Sequence, residues 1–282
     1  MTQVIHEIAT LREALNEHRL NRQSIGFVPT MGNLHAGHMD LMRACVQRCD
    51  ISVASIFVNP MQFGPNEDFD AYPRTLDADL AQLSAQGVDY LFAPTVREIY
   101  PDGVNTQIEV PSLSNILEGA SRPGHFTGVA TVVAKLFNIV QSDVAFFGRK
   151  DYQQLAVIRR MVSDLLLPVE IQGVPTGRDA DGLALSSRNS YLSQDERQTA
   201  PVIYQALRWA AEQITSGNLD YGQIERNGRE RINQGGLKTD YFEIRCAQNL
   251  TAPGHSQKSL VILTAAQLGK ARLIDNIEVT AP

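Results

Sequence analysis

The sequence predicts an α/β protein: a parallel sheet flanked by helices over residues 1–175, then a smaller α+β domain over residues 176–282. The first observation is an alternation of texture. Short runs rich in β-formers, "SIGFVPT", "DISVASIFVN", "DYLFAPT", "VAFFG" and "VEIQGVPT", are separated by the helix-like segments "HMDLMRACVQRC", "TLDADLAQLSAQG", "TGVATVVAKLFNIVQ" and "DYQQLAVIRRMVSDLLL". Strands alternating with crossover helices build a parallel, Rossmann-like sheet covered on both faces. The second observation is a change of texture after "VPTGRDADGLALSSRN". Two helical stretches, "SQDERQTAPVIYQALRWAAEQITSG" and "YGQIERNGRERINQ", precede three strand-like runs, "TDYFEIRCAQ", "SLVILTAAQ" and "ARLIDNIEV". In an open parallel sheet the ligand lies beyond the carboxyl ends of the strands, so polar motifs are expected there.

Composition bounds the function. The chain has 282 residues, 43% hydrophobic and 20% charged, with a net charge of −6. That is ample material for a core. The acidic balance argues against nucleic acid as a partner, which would need a basic face; a small anionic substrate needs only a local positive pocket. Cys45, Cys49 and Cys246 form no disulfide framework and have no partners at metal-ligand spacing, so they read as small semi-buried side chains in a reducing compartment. The N-terminus lacks the apolar core of a secretory signal and no run approaches membrane-span length, which predicts a soluble cytoplasmic protein without a membrane role.

The segment "FVPTMGNLHAGHMDLM" carries the sharpest chemistry. A β-run breaks at Pro29, turns through Gly32 and enters a helix with His35 and His38 three apart, hence on one face. With the helix beginning near Asn33, both imidazoles stand at its N-terminus, where unpaired N–H groups and the dipole attract anions. Gly32 and Gly37 leave the backbone bare for close approach of a ligand. Fixed donors of this kind suit attack on the α-phosphate of a nucleotide, where charge develops on the non-bridging oxygens and the departing pyrophosphate and no side-chain nucleophile is required.

Five further stretches carry polar groups. "FVNPMQFGPNED" brings Asn59 and Gln62 into a loop, as neutral amides for a hydroxy acid or as loop caps. "YPRTLDADL" opens a helix with Thr75 as N-cap and Asp77 and Asp79 in the first turn. "SRPGHFTGVATVV" holds Arg122 and His125 in a Pro-Gly turn, followed by Val132 and Val133. "FFGRKDYQQL" puts Lys150 and Asp151 at a strand's carboxyl end, a charge for phosphate and an acceptor for ribose hydroxyls. "GLALSSRNSYL" offers Ser186, Ser187 and Arg188 as a phosphate cradle or as caps of the next helix.

In order along residues 25–195, these motifs resemble the pantoate–β-alanine ligase family, within the H-x-G-H superfamily that also contains nucleotidylyltransferases and class I aminoacyl-tRNA synthetases; the C-terminal region matches more loosely. The resemblance implies an ATP/pantoate-binding domain over 1–175 and a lid domain over 176–282. It implies catalytic roles for His35, His38, Lys150, Ser186, Ser187 and Arg188. ATP contacts are implied at Pro29, Met31, Gly32, Gly37, Gly148, Asp151, Gly177 and Leu185, besides the catalytic residues. Gln62 and Gln154 would hold pantoate with help from Asn59, and Val132 and Val133 would face its methyl groups. Mg²⁺ falls to Asp79, weakly, since Ala78 stands where the family has a second aspartate. Two further departures are Arg149, usually glutamate, and Gly177, usually a branched apolar residue.

The implied reaction joins pantoate to β-alanine through a pantoyl adenylate, releasing pyrophosphate and AMP, in a cytoplasmic homodimer. Physical reading of the residues alone reaches ATP-dependent adenylyl transfer. A nucleotidylyltransferase would use the same histidines and leave the nucleotide on its product, and a nucleotide-binding regulator would bind ATP without turnover. The loop "FGPNEDFDAYP" and the serine–arginine loop are the candidate gates that keep water from the anhydride.

Overall fold

The structure, a computed structural model, describes residues 1–64, 69–70, 72–254 and 256–282. It divides into two compact units: Met1–Arg149 with Val157–Pro175, and Lys150–Ala156 with Thr176–Pro282.

The first unit runs β1 (Gln3–Ile5), α1 (Ile8–Leu20), β2 (Ile25–Thr30), α2 (Ala36–Arg48), β3 (Ile51–Ile56), α3 (Leu76–Ala85) and β4 (Tyr90–Phe92). The one-turn helices α4 (Val96–Ile99), α5 (Pro111–Ser114) and α6 (Glu118–Ser121) lead to α7 (His125–Val140) and β5 (Val144–Gly148). The helix α8 (Tyr152–Asp164), whose residues 152–156 count with the second unit, and β6 (Glu170–Val174) follow. The strands form one sheet in the order β1-β4-β3-β2-β5-β6, every pair parallel. The α/β reading therefore holds. Ile25–Val28 of β2 and Ile51–Ser55 of β3 are buried without alternation, as central parallel strands covered on both faces are. Val28, Leu34, Met39, Met42, Ala54, Leu83, Leu91 and Phe146 pack into one core cluster. Cys45 belongs to it, and burial pushes its thiol up to about 12, in keeping with an inert packing role.

This strand order fixes where a ligand belongs. From β2 the chain goes by α2 to β3 on one side, and from β5 by α8 to β6 on the other, so the β2/β5 pair is the topological switch point. The strand β1 was not legible in the sequence: three residues at a sheet edge give no usable period.

The second unit holds α9 (Gln194–Thr199), α10 (Val202–Thr215), α11 (Tyr221–Gln234) and an antiparallel sheet of β7 (Lys238–Cys246), β8 (Ser259–Leu268) and β9 (Ala271–Thr280). The single long helix expected before residue 216 is two helices. The break falls at Ala200-Pro201, where proline offers no N–H to continue the first one. Ile203, Leu207, Ile214, Ile224, Ile232, Phe242 and Ile262 make the core. A Cβ on Gly228 would lie 2.5 Å from the Phe242 ring, so glycine lets α11 lie against β7. Among the described residues no helix is long and apolar enough to cross a membrane.

Candidate active site

The two histidines stand in the loop that leaves β2. Gly32 and Asn33 adopt left-handed backbone, φ +83° and +52°, which glycine and asparagine tolerate best. The helix starts later than the sequence suggests: His35 is the N-cap of α2 and His38 its third residue. The imidazoles therefore cap the helix. His35 Nδ1 accepts the Gly37 N–H at 3.1 Å, and His38 Nδ1 accepts the His35 N–H at 3.3 Å, a capping box made of two rings with centroids 4.1 Å apart. A backbone N–H can only donate, so each Nδ1 is the accepting nitrogen and the ring proton sits on Nε2. The Gly37 amide is thus already taken, and the donor capacity of the helix end passes through two oriented imidazoles. That revises the picture of bare amides waiting for phosphate.

The loop is gripped from α3. Asp79, 1% exposed, accepts the N–H of Asn33 at 2.9 Å and of Leu34 at 2.8 Å, and the Thr75 hydroxyl at 3.1 Å. Gln82 donates to the Leu34 carbonyl at 3.3 Å. Thr75 is the N-cap of α3 by position, but its hydroxyl makes no cap bond and is spent on Asp79. Among the described residues no group of three His, Cys, Asp or Glu side chains gathers as a metal site. With both oxygens of Asp79 engaged, the donor set does not fit a resident Mg²⁺.

Asn59 is fully buried and committed. Its Nδ2 donates to Gln62 Oε1 at 3.3 Å and to the Gly128 carbonyl at 3.1 Å, and its Oδ1 accepts from Tyr100 Oη at 2.9 Å. These bonds fix the orientation of the Gln62 amide, whose Nε2 donates to Met31 Sδ at 2.8 Å. Gly128 allows this assembly, because a Cβ there would strike the Met61 carbonyl at 2.3 Å. Val132 and Val133 are buried on the same α7. The His125 ring bonds the Gln62 carbonyl at 2.8 Å, so His125 braces the loop. Met31, Gly32, Phe57, Phe69, Arg74 and Thr75 are among the residues lining a hollow of about 310 Å³ beside it. Of the candidate gate "FGPNEDFDAYP", residues 65–68 and 71 lie outside the described residues.

Pro29, at the end of β2, pairs with Ser55 of β3 in register. Gly148 closes β5 at the other side of the switch point. A Cβ there would meet nothing within 4 Å, and its φ is ordinary, so neither packing nor backbone demands glycine. The departure Arg149 is used locally, its Nε donating to the Gly173 carbonyl at 3.4 Å.

The second unit gathers the remaining residues. Lys150, Ala184, Ser186, Arg188, Tyr204 and Asp275 are among the residues lining one narrow cleft. Lys150 Nζ lies 3.6 Å from Asp151 Oδ1, and Asn276 Nδ2 donates to the Lys150 carbonyl at 2.8 Å. Ser186 caps the 3-10 turn Ser187–Tyr191 by accepting the Arg188 N–H at 3.3 Å. The Leu185 N–H reaches the Gly177 carbonyl at 2.9 Å, so those two positions close one short hairpin and the Gly177 carbonyl is committed. Its base is clamped by Arg178, which holds Asp275 at 2.7 and 2.9 Å, donates to Gly182, and stacks 3.9 Å from the Tyr204 ring centre. Burial pushes the Asp275 carboxyl up, and Arg178 opposes that shift. Gln154 is half-buried in the first turn of α8.

Sequence reasoning missed Tyr100, Arg178, Asp275 and Asn276. Their partners lie 41 to 126 residues away, and no local pattern announces such pairs.

The pantoate-beta-alanine ligase family profile matches residues 3–278. A pantothenate synthetase of Marinomonas sp. is 55% identical over 276 residues, covering 97% of this chain and 98% of the relative. A pantothenate synthetase crystal structure from Thermus thermophilus superposes with TM-score 0.92 at 47% identity, covering 99% of this chain and 100% of that one. A Francisella tularensis pantoate-beta-alanine ligase, complexed with beta-gamma ATP and beta-alanine, gives TM-score 0.82 at 37% identity, covering 98% and 97%. By fold, by motif order and by identity over nearly its whole length, the chain belongs to the pantoate–β-alanine ligase family.

Proposed function

We propose that this chain is an ATP-dependent ligase that condenses pantoate with β-alanine. In the first step a pantoate carboxylate oxygen attacks the α-phosphorus of ATP, forming pantoyl adenylate and expelling pyrophosphate. In the second the amine of β-alanine attacks the acyl carbon, and the C–O bond breaks so that AMP leaves with the former carboxylate oxygen. The observation that carries this reading is the interlocked pair His35 and His38 at the switch point, two Nε2–H donors fixed before substrate arrives. They would stabilise charge on the transferring phosphate.

Further roles follow the family likeness, residue by residue. In the first unit Gln62, oriented by Asn59, would position pantoate, with Val132 and Val133 as its apolar surround, and Pro29, Met31, Gly32, Gly37 and Gly148 would border ATP. In the second unit Lys150, Ser186, Ser187 and Arg188 would bind polyphosphate, Asp151, Gly177 and Leu185 would contact nucleotide, and Gln154 would contact pantoate. The cation Lys150 and the hydroxyl and guanidinium groups of one cleft support the polyphosphate role. Mg²⁺ would enter on ATP and lend positive charge to its phosphates. The likeness also implies a cytoplasmic homodimer, and a molar mass from light scattering would check the assembly. The test of the function is a product assay with ATP, Mg²⁺ and pantoate, with and without β-alanine. AMP and pantothenate are expected only when both acids are present; a product that retains the nucleotide would make the chain a nucleotidylyltransferase.

A further inference from the structure

Asp79 has the strongest set of contacts in the site that the proposed reaction does not use. It is buried, it sits one helix away from the histidines, and both of its oxygens face the loop that carries them. The two amides it accepts, Asn33 and Leu34, are consecutive, and the first follows a glycine at φ +83° while standing itself at φ +52°. Successive amides around left-handed residues form a concave nest that prefers an anion, and here the anion is a side chain of the same unit. The next amide, His35, goes to His38 Nδ1, and that of Gly37 to His35 Nδ1. The bonding is thus continuous from the Asp79 carboxylate through the turn to the two rings. Gly32 completes the fit: a Cβ would lie 3.1 Å from Asp79 Oδ2 and 3.0 Å from Ile56.

We propose that Asp79 is a positioning residue, holding the Gly32–Leu34 turn so that His35 and His38 interlock with their protons on Nε2, and not a ligand for the metal. The proposal rests on the ligase reading only for the consequence in turnover. Asp79→Asn keeps the shape, but its amide nitrogen would present N–H to one of the two backbone N–H groups, so one bond is lost and two donors face each other. A histidine ring displaced by about 1 Å loses on the order of 100-fold in rate.

The experiment measures kcat, KM for ATP and the half-saturating Mg²⁺ concentration for Asp79→Asn, together with ¹⁵N spectra of labelled histidines in the free protein. The expected result is a kcat lowered by about 10- to 100-fold, unchanged half-saturating Mg²⁺, and loss of the Nε2–H signature expected of His35 and His38 in the parent. Thr75→Val, which removes one of Asp79's three bonds and leaves the carboxylate, is expected to move kcat in the same direction by less and covers the case in which Asp79→Asn does not fold. Unchanged histidine spectra with a raised Mg²⁺ requirement would overturn the proposal in favour of a metal ligand, and unchanged kcat would overturn it outright. If the parent makes no pantothenate, the ligase reading fails while the histidine spectra still decide the positioning role.

Discussion

In the loop between β2 and α2, the amides of Asn33, Leu34, His35 and Gly37 each bond a side chain of the same unit. In the loop around Ser186–Arg188 the strongest tie lies at the root, where Arg178 clamps Asp275, while Ser187–Tyr191 form only a 3-10 turn with no buried residue. The first arrangement is set before any ligand arrives, which is what electrostatic stabilisation of a developing charge requires. The second is tied at its root and by bonds within the loop, Asn189 Nδ2 to the Ala184 carbonyl at 3.0 Å and the Arg188 N–H to Ser186 Oγ at 3.3 Å, and no bond among the described residues ties its tip to another element.

Four substitutions would break or sharpen that contrast. The largest effect is expected from Arg178→Met. It takes the charge partner from the buried Asp275 carboxylate, which keeps the Asn276 N–H at 2.7 Å, at about 3–5 kcal/mol, read as a lowered midpoint in urea unfolding; a loss under about 1 kcal/mol would mean the root is not clamped by this pair. His38→Ala removes a phosphate donor and should lower kcat by about 100- to 1,000-fold. Its stability cost should stay near the value of one helix cap, about 1 kcal/mol. Tyr100→Phe takes one bond from Asn59 Oδ1 and should cost about 1 kcal/mol, with the KM for pantoate rising as the Gln62 amide loosens. Gly148→Ala is the mildest: unfolding should be unchanged or harder by about 0.4–1 kcal/mol, and only the KM for ATP should rise, since open space surrounds that position. A Gly148→Ala protein with unaltered ATP kinetics would remove Gly148 from the nucleotide's path.

Much of the fold was legible because parallel strands and crossover helices leave a strong period, and the histidine and Lys150–Asp151 motifs sit where a strand ends and a helix begins. What escaped was decided by distance along the chain. Asp79 read as a first-turn helix acid, which it is by position; only the fold reveals that the carboxylate turns to Asn33 and Leu34, 46 and 45 residues earlier. The histidines were legible as a pair at a helix start, yet their interlock depends on His35 being the cap rather than an interior residue. Asn59 read either as a ligand amide or as a loop cap; it caps its turn by accepting the Met61 N–H at 3.3 Å, while its bonds to Gln62, Gly128 and Tyr100 lay beyond any local pattern. Ser186 did cap its own turn, and that cap leaves its part in a phosphate cradle open to test.

The central claim, attack by a pantoate carboxylate oxygen on the α-phosphorus, is tested most directly by isotope transfer. Pantoate labelled with ¹⁸O in its carboxylate is turned over with ATP and β-alanine, and the products are weighed by mass spectrometry. The account predicts one ¹⁸O in AMP and none in pyrophosphate. Unlabelled AMP, or label in pyrophosphate or orthophosphate, would contradict it.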